Sequence, residues 1–187
     1  SDLGAVSLPV YTGQPQLMLS EILYNDTLTS TGEFLEILNP GSQAIDLSGF
    51  TLAQAVDFTF PAGAGISAGE RIVVARKAAN FIGSSFQVFE WTNGKLKDEG
   101  EAIHLFDRSG LLVDFVEYSH HSPWPEATSM YGKSLELVAE RLDNHFAASW
   151  QPSAALGGSP GTVGSISVTD APAECLQFNV FPNPAAD

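Results

Sequence analysis

Two glutamates set in short alternating segments are the residues best placed to do chemistry. Glu21 recurs at every second position with Leu17, Leu19 and Leu23, and Glu36 does the same with Phe34 and Leu38. In a β-strand such residues share one face. A carboxylate on an apolar face is costly unless it is hydrogen-bonded, paired or bound to a metal. If the two strands pair, Glu21 and Glu36 approach each other. Acid–base hydrolysis of a glycoside is one chemistry for such a pair, and it needs an open cleft between them. Calcium coordination is a second, with Asp143 or Asn144 completing a set of oxygen ligands. The alternative without a ligand places each Glu at a strand end, accepting loop N–H groups or a hydroxyl from Ser20 or Thr51.

The aromatics offer a different chemistry. Trp124 lies between Pro123 and Pro125, so its loop is stiff. With Tyr118 and Tyr131 it would make a stacking platform for a glycan. The competing reading puts Trp124 and Trp150 at the two ends of a core, each indole N–H bonded to a loop carbonyl. Ser119-His120-His121 sets a hydroxyl beside imidazoles, yet neighbours in a strand point to opposite faces, which argues against a catalytic contact. His104 and His145 add no spacing that resembles a zinc motif. The acidic run Asp98-Glu99-Gly100-Glu101 reads as a solvated approach to a hairpin and does not fit an EF-hand loop. Gly65-Ile66-Ser67-Ala68-Gly69 and Gly157-Gly158-Ser159-Pro160-Gly161 fit the letters Gly-x-Ser-x-Gly, but neither leads from a strand into an expected helix, so neither is a nucleophile elbow. The chain has no Gly-rich phosphate loop and no His-Glu-x-x-His.

The elements that must position these residues are short strands. Segments 17–23 and 33–38 alternate, and the second ends at the turn Asn39-Pro40-Gly41-Ser42. Further strands are expected at 45–52, 56–60, 71–75, 87–91, 102–106, 111–118 and 134–139, each bounded by Gly, Pro, Asn or Ser. Asp107-Arg108-Ser109-Gly110 reads as a hairpin turn. Only 77–81 suits a helical turn. This spacing predicts an all-β, antiparallel sandwich, with a closed barrel as the structural alternative.

Bulk properties narrow the partners. The 187 residues are 44% hydrophobic, enough for a real core. Eight Lys and Arg face 22 Asp and Glu, a formal net charge of −14. Such a field repels nucleic acid and anionic membranes, and leaves cations, glycans and proteins as partners. Acidity of this kind also keeps an exported protein soluble. Cys175 is the single cysteine, so no intramolecular disulfide is possible. No stretch approaches the ~20 apolar residues of a membrane-spanning helix. The chain begins at Ser1 rather than Met, as expected of a piece of a longer protein.

Several segments, in order, resemble the lamin tail domain in its bacterial secreted form. They are Ser20-Glu21-Ile22 with Asn25, Glu33-Phe34-Leu35-Glu36-Ile37-Leu38-Asn39, Asp46-Leu47-Ser48-Gly49-Phe50-Thr51-Leu52, Phe60-Pro61, Val113-Asp114, Pro123-Trp124-Pro125, Ser134-Leu135-Glu136-Leu137, Asp143-Asn144 and Ser159-Pro160-Gly161. The resemblance implies an immunoglobulin-like β-sandwich without catalytic activity, serving structural and interaction roles beside other domains. The chain departs from the family's pattern near His120-His121. In the tail, Phe178-Asn179-Val180-Phe181-Pro182-Asn183-Pro184-Ala185 resembles the start of the C-terminal sorting domain read by the type IX secretion system of Bacteroidetes. That implies export, followed by release or attachment at the cell surface. The expected organisation is an arm over 1–15, the sandwich over 16–162, and a linker with the start of the sorting segment over 163–187.

Overall fold

A computed structural model describes residues 17–26, 32–126, 131–140 and 142–162. The arm, the linker and the sorting segment expected in the tail lie outside these residues. Numbered in chain order, the strands build two sheets. The first runs, side by side, β13 (Trp150–Pro152), β12 (Leu135–Leu137), β1 (Met18–Leu23), β2 (Phe34–Leu38), β7 (Arg71–Ala75) and β8 (Gln87–Glu90). The second runs β11 (Leu112–Ser119), β10 (Gly100–Phe106), β4 (Thr51–Gln54), β5 (Val56–Thr59) and β9 (Asn93–Gly94). A small pair, β3 (Ile45–Asp46) with β6 (Gly65–Ile66), stands apart. Among the described residues the only helical pieces are single 3-10 turns at Ala78–Phe81 and Ala147–Ser149. The expected immunoglobulin-like antiparallel sandwich is therefore the fold, with one departure: β8 pairs β7 in parallel.

The alternation of the strands explains the packing. Leu19, Ile22, Leu35, Ile37, Ile72 and Val74 of the first sheet meet Leu52, Phe58, Ile103, Leu105 and Val116 of the second. Second-sheet strands keep the period of two. Along β11, Asp114, Val116 and Tyr118 are buried while Leu112 and Glu117 are exposed. The first sheet does not keep it, because its outer face is covered too. Leu23, Phe34, Val73, Ala75 and Phe81 form a second apolar cluster there, with Phe86 and Val88 packed against it. All five residues of β2 are buried as a result.

A β-bulge between Leu19 and Glu21 decides which face Glu21 occupies. The plain alternation groups Glu21 with Leu17 and Leu19. The extra residue shifts the phase, so Leu17, Leu19, Ile22 and Tyr24 join the main core, while Leu23 faces the outer cluster. Bulges re-aim side chains in this way. Glu21 consequently sits on the outer face with Phe34 and Glu36, not among the leucines of the core.

Turns follow the polar residues. Asp107 Oδ1 accepts the N–H groups of Ser109 and Leu111, which closes the β10–β11 hairpin. The expected strand over 45–52 is two strands, because Asp46 Oδ1 takes the Ser48 N–H at 2.9 Å and turns the chain there. β13 falls where the composition already drifts towards a linker, and its register with β12 is what extends the first sheet.

Core truncation tests this packing. Leu35→Ala should lower the unfolding free energy by about 2–5 kcal/mol in a urea titration. Leu111→Ala, at a side chain 47% exposed, should change it by less than about 0.5 kcal/mol.

Candidate functional site

The sheet register assembles a row of three carboxylates. Glu21 lies directly opposite Glu36 on β2 and directly opposite Glu136 on β12. All three are at most 3% exposed. Like charges directly opposite one another destabilise a sheet, so this row must be neutralised. Donors come from four directions. Ser134 Oγ donates to Glu21 Oε1 at 2.5 Å and Ser20 Oγ to Glu36 Oε1 at 2.6 Å. Arg71 on β7 places its Nε 3.3 Å from Glu36 Oε1 and pairs through its terminal nitrogen with Glu140. The rest come from the loop after β13. The Ser159 N–H reaches Glu21 at 2.8 Å, the Ser159 hydroxyl donates to Glu136, and the Gly161 N–H reaches Glu36 Oε2 at 2.6 Å.

That loop fits only because of its glycines. Gly158 and Gly161 both have φ of +79°, the left-handed region that glycine enters freely. A Cβ at Gly158 would collide with the Glu21 carboxylate and the Phe34 ring, and one at Gly161 with the Phe86 ring.

Burial raises the Glu21 carboxyl to about 8, with Glu36 and Glu136 adding to the shift against hydrogen bonds from Ser134 and Ser159. Burial also raises Glu36, opposed by Ser20, Gly161 and Arg71. The cleft beside the row has a volume of about 30 Å³, room for about one or two water molecules. Glycoside hydrolysis needs a saccharide ring between the carboxylates, and none fits there.

A second polar group lies at the edge of the sheets. Asp114 Oδ2 accepts the Leu19 N–H at 2.7 Å and the Asn144 side-chain amide at 2.8 Å. Asp114 thereby holds β11 to the bulge of β1. Burial raises its carboxyl to about 6. His145 sits between two acids, its Nδ1 2.6 Å from Asp143 Oδ1 and its Nε2 4.0 Å from Asp114 Oδ1. Asp143, Asn144 and Asp114 line an open groove of about 630 Å³ with Leu17, Met18 and Val113.

The expected calcium set of Glu21, Glu36 and Asp143 is therefore corrected. Glu21 and Glu36 meet, but Asp143 belongs to the other group, where His145 holds it. Among the described residues no group of three or more His, Cys, Asp or Glu is placed to hold a metal ion. Glu21 Oε1 and both oxygens of Glu36 already face hydroxyl, amide or guanidinium donors, and Asp143 Oδ1 faces the His145 ring.

The glycan platform of Trp124, Tyr118 and Tyr131 is corrected as well. Tyr118 is 1% exposed, stacks on Tyr24 at 4.9 Å and donates its hydroxyl to the Lys97 carbonyl. Trp124 is 9% exposed and leans on Trp150 at 6.1 Å, whose indole N–H reaches the Asn144 carbonyl. A stacking platform needs a bare ring face, and these rings are core. Tyr131 is exposed, but no ring contact joins it to the other two.

Sequence reasoning passed over two features. Asp114 was legible, since it alternates with Val116 and Tyr118 on a buried face. Half-buried rings on the outer face of the second sheet were less so. His104 lies opposite Phe115 in the β10–β11 register, with Phe106 at 5.7 Å from His104 and the His145 ring at 4.1 Å from Phe115. Alternation with Ile103, Leu105 and Val116 puts these rings on one face, but how far that face is covered depends on what packs over it, as the His145 ring does on Phe115.

Two sheets packed as an immunoglobulin-like sandwich, with buried carboxylates held by hydrogen bonds, define a structural domain. The family model for the Lamin Tail Domain matches residues 12–120, and the chain belongs to that family. The membership is consistent with a non-catalytic interaction module. A search of the curated proteins finds no match to the chain. No helix among the described residues is long and apolar enough to cross a membrane.

The raised carboxyls fix the sign of the pH dependence. Glu21 has its ordinary value in the unfolded chain and one near 8 in the fold, so the fold binds the extra proton between those values. Its contribution is complete below about pH 4.5 and is lost as pH rises towards 8, at up to about 1.4 kcal/mol per pH unit. Glu36, Glu33 and Asp114 are raised too and act in the same direction. Urea titrations should show stability falling between pH 5 and 8. Glu21→Gln should flatten that slope and be the more stable chain at pH 8.

Proposed function

We propose that this sandwich is a non-catalytic interaction module of a longer exported or cell-surface protein, spacing or docking its neighbours. One observation carries the reading: the buried carboxylates are committed to holding the chain together. Glu21, Glu36 and Glu136 hold the loop after β13, Asp114 holds the β1 bulge, and Glu33 accepts the Leu96 N–H at 3.0 Å and pairs with Arg76. The cleft beside the glutamate row admits no organic substrate, and Asp114, which borders the wider groove, has its Oδ2 taken by the Leu19 N–H and the Asn144 amide. Export rests on the tail segment Phe178–Ala185 and its resemblance to a type IX sorting signal. The net charge of −14 suits a soluble exported module and opposes nucleic acid.

The rings of His104, Phe106 and Phe115 favour a second reading, a glycan-binding module on the outer face of the second sheet. They replace the buried Trp124 and Tyr118 as the surface on which a sugar ring would stack.

The 187-residue chain should show no turnover of aryl glycosides or esters. Turnover that disappears in Glu36→Gln would overturn the non-catalytic reading. Pull-down on cellulose, chitin and xylan separates the two readings. Retention that Phe115→Ala reduces tenfold or more, with an unchanged melting temperature, supports the glycan module. No retention on any of the three removes it and leaves protein docking.

A further inference from the structure

The segment that covers the carboxylate row is short, uncharged and held at few points. Residues 158–162 read Gly-Ser-Pro-Gly-Thr. Two backbone N–H groups and one hydroxyl tie them to Glu21, Glu36 and Glu136. A Cβ at Gly158 would meet the Phe34 ring and one at Gly161 the Phe86 ring, so the segment lies close against this apolar face. We propose that residues 158–162 form a strap that the carboxylate row releases as pH rises, baring the outer face of the first sheet around Phe34 and Phe86.

Glu21 comes from β1, Glu36 from β2 and Glu136 from β12, in one cross-strand row. From β7 comes Arg71, shared between Glu36 and Glu140. Glu140 follows β12 and is itself 45% exposed. On β8, Glu90 is turned away to the Ala78 N–H, and Gln151 of β13, opposite Glu136, is uncharged. Among the described residues, then, one guanidinium reaches a row of three carboxylates, and an exposed fourth acid competes for it.

Closed, the strap keeps water from the row; open, it returns the carboxylates to water. Desolvation and mutual repulsion both disfavour full ionisation in the closed state. The closed state therefore binds more protons than the open one. By linkage, each pH unit between the ordinary carboxylate range and the raised one moves the equilibrium towards opening. The N–H donors of Ser159 and Gly161 oppose this, since they favour the charged acceptor. Burial nevertheless outweighs them at both Glu21 and Glu36. The strap is a natural place for the strain to be relieved. It belongs to no strand, whereas β1, β2 and β12 are each paired on both sides.

Amide hydrogen exchange of the whole chain, corrected for the intrinsic rate at each pH, reads the strap separately from the sheet. Between pH 5.5 and 8.5 the protection of the Ser159 and Gly161 amides should fall at least tenfold relative to the amides of the β2–β7 ladder, as expected for a shift of one pKa unit or more. Glu21→Gln should keep the Ser159 amide protected at pH 8.5; if that chain does not fold, Glu136→Gln tests the same row. Gly161→Ala should leave the strap unprotected at both pH values with the ladder intact. Strap and ladder losing protection together, or the strap losing none, would overturn the proposal, as would a Glu→Gln variant whose strap opens as the parent's does.

Discussion

Buried carboxylates that must find hydrogen-bond donors are the constraint on which this sandwich depends. A carboxylate taken out of water costs several kcal/mol unless its lone pairs are met. Local structure cannot meet them here, because the neighbouring N–H groups already serve the sheet ladders. The donors come from far along the chain. Asp114 takes its N–H from Leu19, Glu33 from Leu96, Glu21 from Ser159 and Glu36 from Gly161. Each bond joins segments that the sequence separates widely, and together they close the edge of the β1 bulge, one end of the sandwich and the outer face of the first sheet.

That arrangement makes the two sheets unequal. The first is buried on both sides, by the second sheet within and by Phe81, Phe86 and the 158–162 segment outside. Its strands therefore carry nearly continuous apolar runs interrupted by glutamates. The second sheet is covered on one side only, and its strands alternate in the usual way. Its outer face keeps half-buried His104, Phe106 and Phe115. If the module meets a partner through a sheet face, the second sheet is the one that offers it without rearrangement.

The same logic separates this domain from an enzyme with paired acids. A catalytic pair has its carboxylates at different protonation levels beside a cleft that holds a substrate. Here Glu21 and Glu36 stand side by side under a loop, with space for little more than water. The large aromatics behave alike: Tyr118 and Trp150 bury their rings and send the hydroxyl or indole N–H to a backbone carbonyl. Residues whose types suggest chemistry are used as fasteners, and this use agrees with the lamin tail family to which the chain belongs.

The sequence by itself determined the fold class, most of the strands, the β10–β11 hairpin and the resemblance to the family. These depend on alternation and turn residues, which act over a few positions. It also marked Glu21 and Glu36 as needing partners, and named Ser20 and loop N–H groups among the candidates; Ser20 does bond Glu36, whereas Thr51 has no part. The tertiary structure alone decided the rest. The bulge at Ser20 moved Glu21 to the other face, a one-residue shift that no alternation count reveals. Sheet order placed Glu136 beside Glu21, since register between strands distant in the chain is set by packing and not by local pattern. Exposure of a ring in a loop depends on what lies over it, so Trp124 became core while Tyr131 did not.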